Sequence, residues 1–133
     1  MTKIWLIEDN QLHAIFFKYV CKNYNIEYKI FTSSQELFSH LENLKEEEIP
    51  DIVFIDLVLE DKVRGEDILQ ELKKRFSDKE VKYIAFTADI VSKKKLKQQG
   101  FYEIIYKPIN KAKLNKIIKE LINELSNSER KLK

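Results

Sequence analysis

Five polar residues stand where runs of apolar residues stop, and their types suit phosphoryl chemistry. Glu8 and Asp9 follow Lys3 to Ile7, Asp56 ends the run from Ile52, Thr87 follows Val81 to Phe86, and Lys107 follows Ile104 to Tyr106. The run Asp51-Ile-Val-Phe-Ile-Asp-Leu57 reads as a strand buried on both faces, as in parallel sheets. An ionised Asp inside such a strand costs several kcal/mol or shifts its pKa. At the carboxyl end that cost disappears, because this edge opens on the crevice where open α/β sheets bind ligands. Asp56 is therefore a cap for the next loop or the centre of a site. Three carboxylates gathered there repel one another, and a hard divalent cation is the natural remedy. Mg²⁺ takes one or two carboxylates, waters and a phosphate, which matches this set. Lys107 adds a compact positive charge and Thr87 a hydroxyl donor. The set describes a cavity for a phosphoryl group beside a nucleophilic carboxylate.

The elements that must position these residues follow from the alternation of the chain. Apolar runs at Lys3 to Ile7, Tyr28 to Phe31, Ile52 to Ile55, Val81 to Phe86 and Ile104 to Tyr106 each precede a segment of helical period or composition. That pattern predicts βα units and a parallel sheet with helices on both faces. A first helix follows the N-cap Asn10, with Leu12, Ile15, Phe16, Tyr19 and Val20 on its core face. Phe17, Cys21 and Tyr24 form a second apolar stripe turned away from that face, either part of a wide buried arc or a partner surface. A second helix begins at the capping-box pattern Ser33-Ser-Gln-Glu36 and buries Leu37, Phe38, Leu41 and Leu44. The solvated run Glu46 to Glu48 ends it before Pro50. A third helix follows Gly65 and carries Ile68, Leu69, Leu72 and Phe76. The fourth, between Asp89 and Gly100, has only Ile90, Val91 and Leu96 as anchors and is expected to be marginal and mobile. The fifth is the clearest, with Leu114, Ile117, Ile118, Leu121, Ile122 and Leu125, and a frayed polar tail is expected over residues 126–133.

The ordered set Glu8-Asp9, Asp56, Thr87-Ala88 and Lys107-Pro108 resembles the response regulator receiver domain, over about Lys3 to Leu125. Each motif is weak alone, and their order at βα spacing is highly specific. The resemblance implies an α/β, flavodoxin-like fold: a doubly wound five-stranded parallel sheet in order 2-1-3-4-5 with five helices, residues 1–125 forming the receiver. It also implies that Asp56 accepts phosphate from a phosphohistidine. Asp9, Asp56 and the backbone carbonyl of Val58 would bind Mg²⁺ directly, and Glu8 through water. Lys107 would pair with the phosphoryl oxygens, Thr87 would swing in to hydrogen-bond one of them, and the Lys107-Pro108 bond would be cis.

Three departures from the family pattern bear on signalling more than on chemistry. Ile104 stands where an aromatic residue is common, which argues against an aromatic rotamer switch there, although Tyr102 and Tyr106 are near. Glu60 stands where proline is frequent. The loop from Asp56 to Gly65, with Lys62 and Arg64, is slightly longer than usual.

The functional expectation is a single-domain response regulator of a two-component phosphorelay that switches protein contacts on phosphorylation. It is not expected to be an enzyme beyond its own Mg²⁺-dependent phosphorylation and dephosphorylation. The donor would be a histidine kinase or histidine phosphotransfer protein, and the downstream target a protein that the sequence does not name. The alternatives are a receiver-like binding module that is never phosphorylated, or a receiver fragment of a longer protein. A haloacid-dehalogenase-like phosphatase would need an Asp two residues after Asp56, where Val58 stands. A flavin phosphate needs donors where the first turn is acidic, and no Walker-type loop occurs.

Bulk composition agrees. At 133 residues, 44% of them apolar, the chain makes one domain with a real core. A net charge of +2 gives no general reason to expect nucleic acid or acidic membranes. Lys93 to Lys97 reads as a solvated helix face. The single Cys excludes a disulfide framework and suits a reducing cytoplasm. The first residues do not read as a secretory leader, and no stretch reaches the roughly 18 to 20 apolar residues of a membrane helix. His13 and His40 are expected to be surface or packing residues, and the protein a monomer or weak dimer.

Overall fold

The computed structural model of the chain describes residues 1–59, 62–88 and 92–131, with side chains described through 127. Five strands, β1 (Thr2–Ile7), β2 (Ile26–Phe31), β3 (Ile52–Asp56), β4 (Lys82–Thr87) and β5 (Glu103–Tyr106), alternate with helices α1 (Gln11–Lys22), α2 (Ser34–Leu41), α3 (Gly65–Arg75), α4 (Lys93–Gln99) and α5 (Lys111–Lys131). The strands form one sheet in the order β2-β1-β3-β4-β5 and every pairing is parallel. This is the doubly wound, flavodoxin-like arrangement expected.

Strand alternation sorts the core into two layers. Trp5, Ile7, Val53, Ile55, Tyr83, Ala85 and Ile104 pack beneath α2, α3 and α4. Their neighbours Ile4, Leu6, Ile52, Phe54, Ile84, Phe86 and Ile105 pack beneath α1 and α5. A period of two in each strand feeds both layers, so β3 is buried at every position while the edge strand β2 alternates with solvent.

Helix starts follow local chemistry. Asn10 caps α1 by accepting from the His13 amide at 3.1 Å, and Ser33 caps α2 by accepting from the Glu36 amide at 3.1 Å. The Glu36 side chain reaches back one residue beyond the usual capping box, to the amide and hydroxyl of Thr32. The run Glu46–Glu48 forms its own 3-10 turn after α2 rather than ending that helix. Within α4, Leu96 is buried and Lys93, Lys94, Lys95 and Lys97 are exposed; the other expected anchors, Ile90 and Val91, lie outside the described residues. The last helix continues to Lys131, past the apolar face that ends at Leu125, where composition predicts a frayed tail.

The expectation for α1 holds at Val20 and for the buried arc of Phe17 and Cys21, and fails at Leu12, Ile15 and Tyr19. Phe17, Val20 and Cys21 are buried against the sheet and α5, with Tyr24 packed on the same layer. Leu12, Ile15 and Tyr19 are more than half exposed. Phe17 meets Phe54 edge to face, with centroids 5.4 Å apart, and the Tyr24 hydroxyl donates to Asn115 Oδ1 of α5 at 3.0 Å. The stripe read as secondary is the core face. Of the stripe read as core, Val20 is buried and Phe16 half-buried, while Leu12, Ile15 and Tyr19 form an exposed apolar surface, with Lys111 Nζ 4.2 Å from the Tyr19 ring.

Candidate functional site

Strand parity brings three of the predicted residues together. Glu8, Asp56 and Lys107 each fall on the α1–α5 side of their strand ends, one step past apolar residues of the opposite layer (Ile7, Ile55 and Tyr106). Lys107 Nζ donates to Glu8 Oε1 at 2.7 Å, Glu8 Oε2 at 3.0 Å and Asp56 Oδ2 at 3.2 Å. The backbone N–H of Val58 donates to Asp56 Oδ1 at 3.1 Å. The Lys107-Pro108 bond is cis. Asp9, half-buried, completes the acidic set: one carboxylate oxygen from each of Glu8, Asp9 and Asp56 lies within 4.8 Å of the others. Asp9, Asp56, Val58 and Lys107 line an open cavity of ≈ 360 Å³.

Thr87 lies elsewhere. Its position in β4 follows Phe86 of the α1–α5 layer, so parity sends it to the opposite face. There it is buried and lines a smaller cavity of ≈ 80 Å³ with Leu57, Val58 and residues of α3 and α4. Ile104 is buried in that same layer. Glu60 is outside the described residues.

Leu57 and Val58 lie close to Arg64 and Gly65. Val58 and Arg64 form an antiparallel bridge, the Gly65 amide donates to Leu57 O at 3.1 Å, and Lys62 takes a positive φ of 67°. A Cβ on Gly65 would stand 2.5 Å from Asp56 O and 2.8 Å from Leu57 Cα. Only glycine lets α3 start so close to the backbone that carries Asp56.

Burial dominates the electrostatics of Asp56. Desolvation pushes its carboxyl up to about 7, helped by the hydrogen bond and charge of Glu8, and opposed by the Val58 amide and Lys107. A carboxylate raised in this way gains from any cation that neutralises the cluster. The donor set fits a hard divalent ion: it is all oxygen, with three carboxylates, and has room beside it.

His13 is the residue that sequence reasoning missed. Its Nδ1 lies 2.7 Å from Glu8 Oε1, and its ring stacks on Phe86 with centroids 5.8 Å apart and planes 29° apart. A carboxylate held by a lysine can only accept, so Nδ1 carries the proton. Burial, then the charge of Lys107, lowers the pKa of His13, with Asp56 opposing. The signal was available: side chains in the first turn of a helix lean back toward its N-terminus, and Glu8 closes the strand just before that turn. His40 is a packing residue as expected, between Trp5 and Phe31.

A parallel doubly wound sheet with an acidic, lysine-closed pocket at its carboxyl edge defines a class of α/β domains that place their ligand site at the strand ends. Within that class, the model of the response regulator receiver domain matches residues 4–119, and the chain belongs to this family. The fold is similar to that of a CheY-like receiver domain protein from Methanospirillum hungatei JF-1, at 22% identity and a TM-score of 0.78, covering 96% of this chain and 98% of that one. It is also similar to a receiver domain protein from Clostridium thermocellum, at 26% identity and 0.73, covering 95% and 98%. A response regulator from Thermotoga maritima matches at 17% and 0.73, covering 92% and 98%. No curated protein matches the sequence. The family consists of signalling modules of two-component systems that bind Mg²⁺ at an acidic pocket. Among the described residues, no helix is long and apolar enough to cross a membrane.

Proposed function

We propose that this chain is a phosphorylation switch of a two-component phosphorelay, with Asp56 as phosphoacceptor. The observation that carries the reading is the three-way contact of Lys107 with Glu8 and Asp56 beside an open, acid-lined cavity. An oxygen of Asp56 attacks the phosphorus of a phosphohistidine; the P–N bond breaks, its electron pair stays on the imidazole, and that nitrogen takes up a proton. Lys107 transfers its ammonium from the carboxylates to the phosphoryl oxygens. Thr87 has to leave its buried position to donate its hydroxyl to the same group. Asp9, Asp56 and the carbonyl of Val58 would hold Mg²⁺, and Glu8 would act through water. Bound there, the ion neutralises the carboxylate cluster and the incoming phosphoryl oxygens.

The donor is a histidine kinase or histidine phosphotransfer protein. Its docking surface is the exposed α1 face, Leu12, Ile15 and Tyr19, on the helix that follows Asp9 and Asn10 of the pocket lining. Output runs through a downstream protein, and α4, with Leu96 as its buried anchor, is the responding element. The test is Mg²⁺-dependent incorporation of phosphate from acetyl phosphate. The wild-type protein labels and Asp56→Ala does not; equal labelling of both sinks the reading.

A further inference from the structure

Glu8 is held from two sides. Its side chain is fully buried, and Oε1 is shared by Lys107 Nζ and His13 Nδ1, each at 2.7 Å. The two donors differ in what else they do. Lys107 also bonds Asp56, and its ammonium is the group that a phosphoryl on Asp56 draws away. His13 has no such second duty. Its backbone is fixed in the first turn of α1 by the Asn10 cap, and its ring lies flat against Phe86. Both anchors are separate from the bonds that the ammonium makes to Glu8 and Asp56.

We propose that His13 is a positioning residue that keeps the buried Glu8 carboxylate oriented toward the cation once Lys107 has moved onto the phosphoryl group. The inference rests on the phosphoacceptor reading and adds to it a residue from the first turn of α1. A carboxylate released by one donor rotates unless a second fixes it, and groups that orient the oxygens around a metal typically change its affinity by about 10- to 100-fold. While Lys107 remains in place the two donors are partly redundant. Their separation is therefore visible only when the lysine is gone.

The experiment is calorimetric titration of Mg²⁺ into the phosphate-free protein. Wild type, His13→Phe and His13→Asn are each measured with Lys107 present and with Lys107→Met. His13→Phe keeps the stacking on Phe86 and loses the N–H; His13→Asn loses the stacking but places an amide N–H near the position of Nδ1. Expected is a small loss of Mg²⁺ affinity for His13→Phe while Lys107 is present, growing to about tenfold in the Lys107→Met background. His13→Asn should stay within about twofold of the histidine protein in both. Melting curves without the cation verify that each variant is folded. Equal affinities for His13→Phe and the histidine protein in both backgrounds overturn the proposal. So does a loss in His13→Asn as large as in His13→Phe, because the ring packing would then matter and the hydrogen bond would not. Absence of Mg²⁺ binding by the wild-type protein is a different result, and it brings down the phosphoacceptor reading itself.

Discussion

Lys107 Nζ donates to Asp56 Oδ2 across 3.2 Å, joining the ends of two strands that are separated in the sheet by β4. The contact exists because both side chains fall on the α1–α5 side of the sheet and both follow apolar residues that fix strand register. It places a positive charge beside a carboxylate that is otherwise stranded at the end of a buried strand.

Asp56 makes the cation-free protein less stable as pH rises. Its folded pKa, pushed up to about 7, lies above the unfolded value of about 3.9. The folded state then binds the extra proton, so its stabilising effect is complete below about pH 4 and is lost as pH climbs to about 7. Asp56→Asn has no charge to desolvate. In denaturant titrations with chelator it should exceed the wild type by on the order of 1–3 kcal/mol at about pH 8, and the gain should shrink toward about pH 5. A difference that does not change with pH contradicts this account of the site.

The two faces of α1 should respond oppositely to truncation. Phe17→Ala empties a fully buried site against Phe54 and costs about 3–5 kcal/mol. Tyr19→Ala, on the exposed face, stays within about 0.5 kcal/mol. Urea midpoints decide between the orientations, and the opposite ranking restores the face expected from sequence. Cys21, on the core face, gives a second check. Burial pushes its thiol up to about 12, so thiol reagents should modify it only at the rate of unfolding.

Gly65→Ala should separate the fold from the site. The added methyl meets backbone atoms of Asp56 and Leu57 at 2.5 and 2.8 Å, which no side-chain movement relieves. The expected outcome is a folded protein with circular dichroism like the wild type, destabilised by about 1–3 kcal/mol, whose Mg²⁺ affinity falls because the Asp56–Val58 backbone has shifted. Unchanged affinity would show that the loop does not set the position of the carboxylate.

The sheet and most of the pocket were legible in the sequence for a physical reason. A strand buried on both faces must be continuously apolar, so a carboxylate or lysine directly after such a run marks the carboxyl edge, as at Glu8, Asp56 and Lys107. Three features do not follow from the apolar pattern alone. Helix α1 carries apolar residues on both sides, Leu12, Ile15 and Tyr19 against Phe17, Cys21 and Tyr24, and a 3.6-residue period cannot rank two good stripes. The choice is made by tertiary contacts, Phe54 below and Asn115 of α5 beside Tyr24. The pairing of His13 with Glu8 leaves no mark in the helical period, because the partner lies across the turn that precedes the helix. Strand parity likewise places Thr87 on the other face of the sheet, a distinction that strand-end position alone does not make.

The central claim is that Asp56 is the residue that takes the phosphate. It is tested most directly by incubating the protein with acetyl phosphate and Mg²⁺, trapping the product with borohydride and mapping the reduced residue by mass spectrometry. An acyl phosphate on aspartate is reduced to homoserine, so the account predicts homoserine at position 56, dependent on Mg²⁺ and absent without acetyl phosphate. Homoserine at another position, or none in a protein that is folded and binds Mg²⁺, would contradict it.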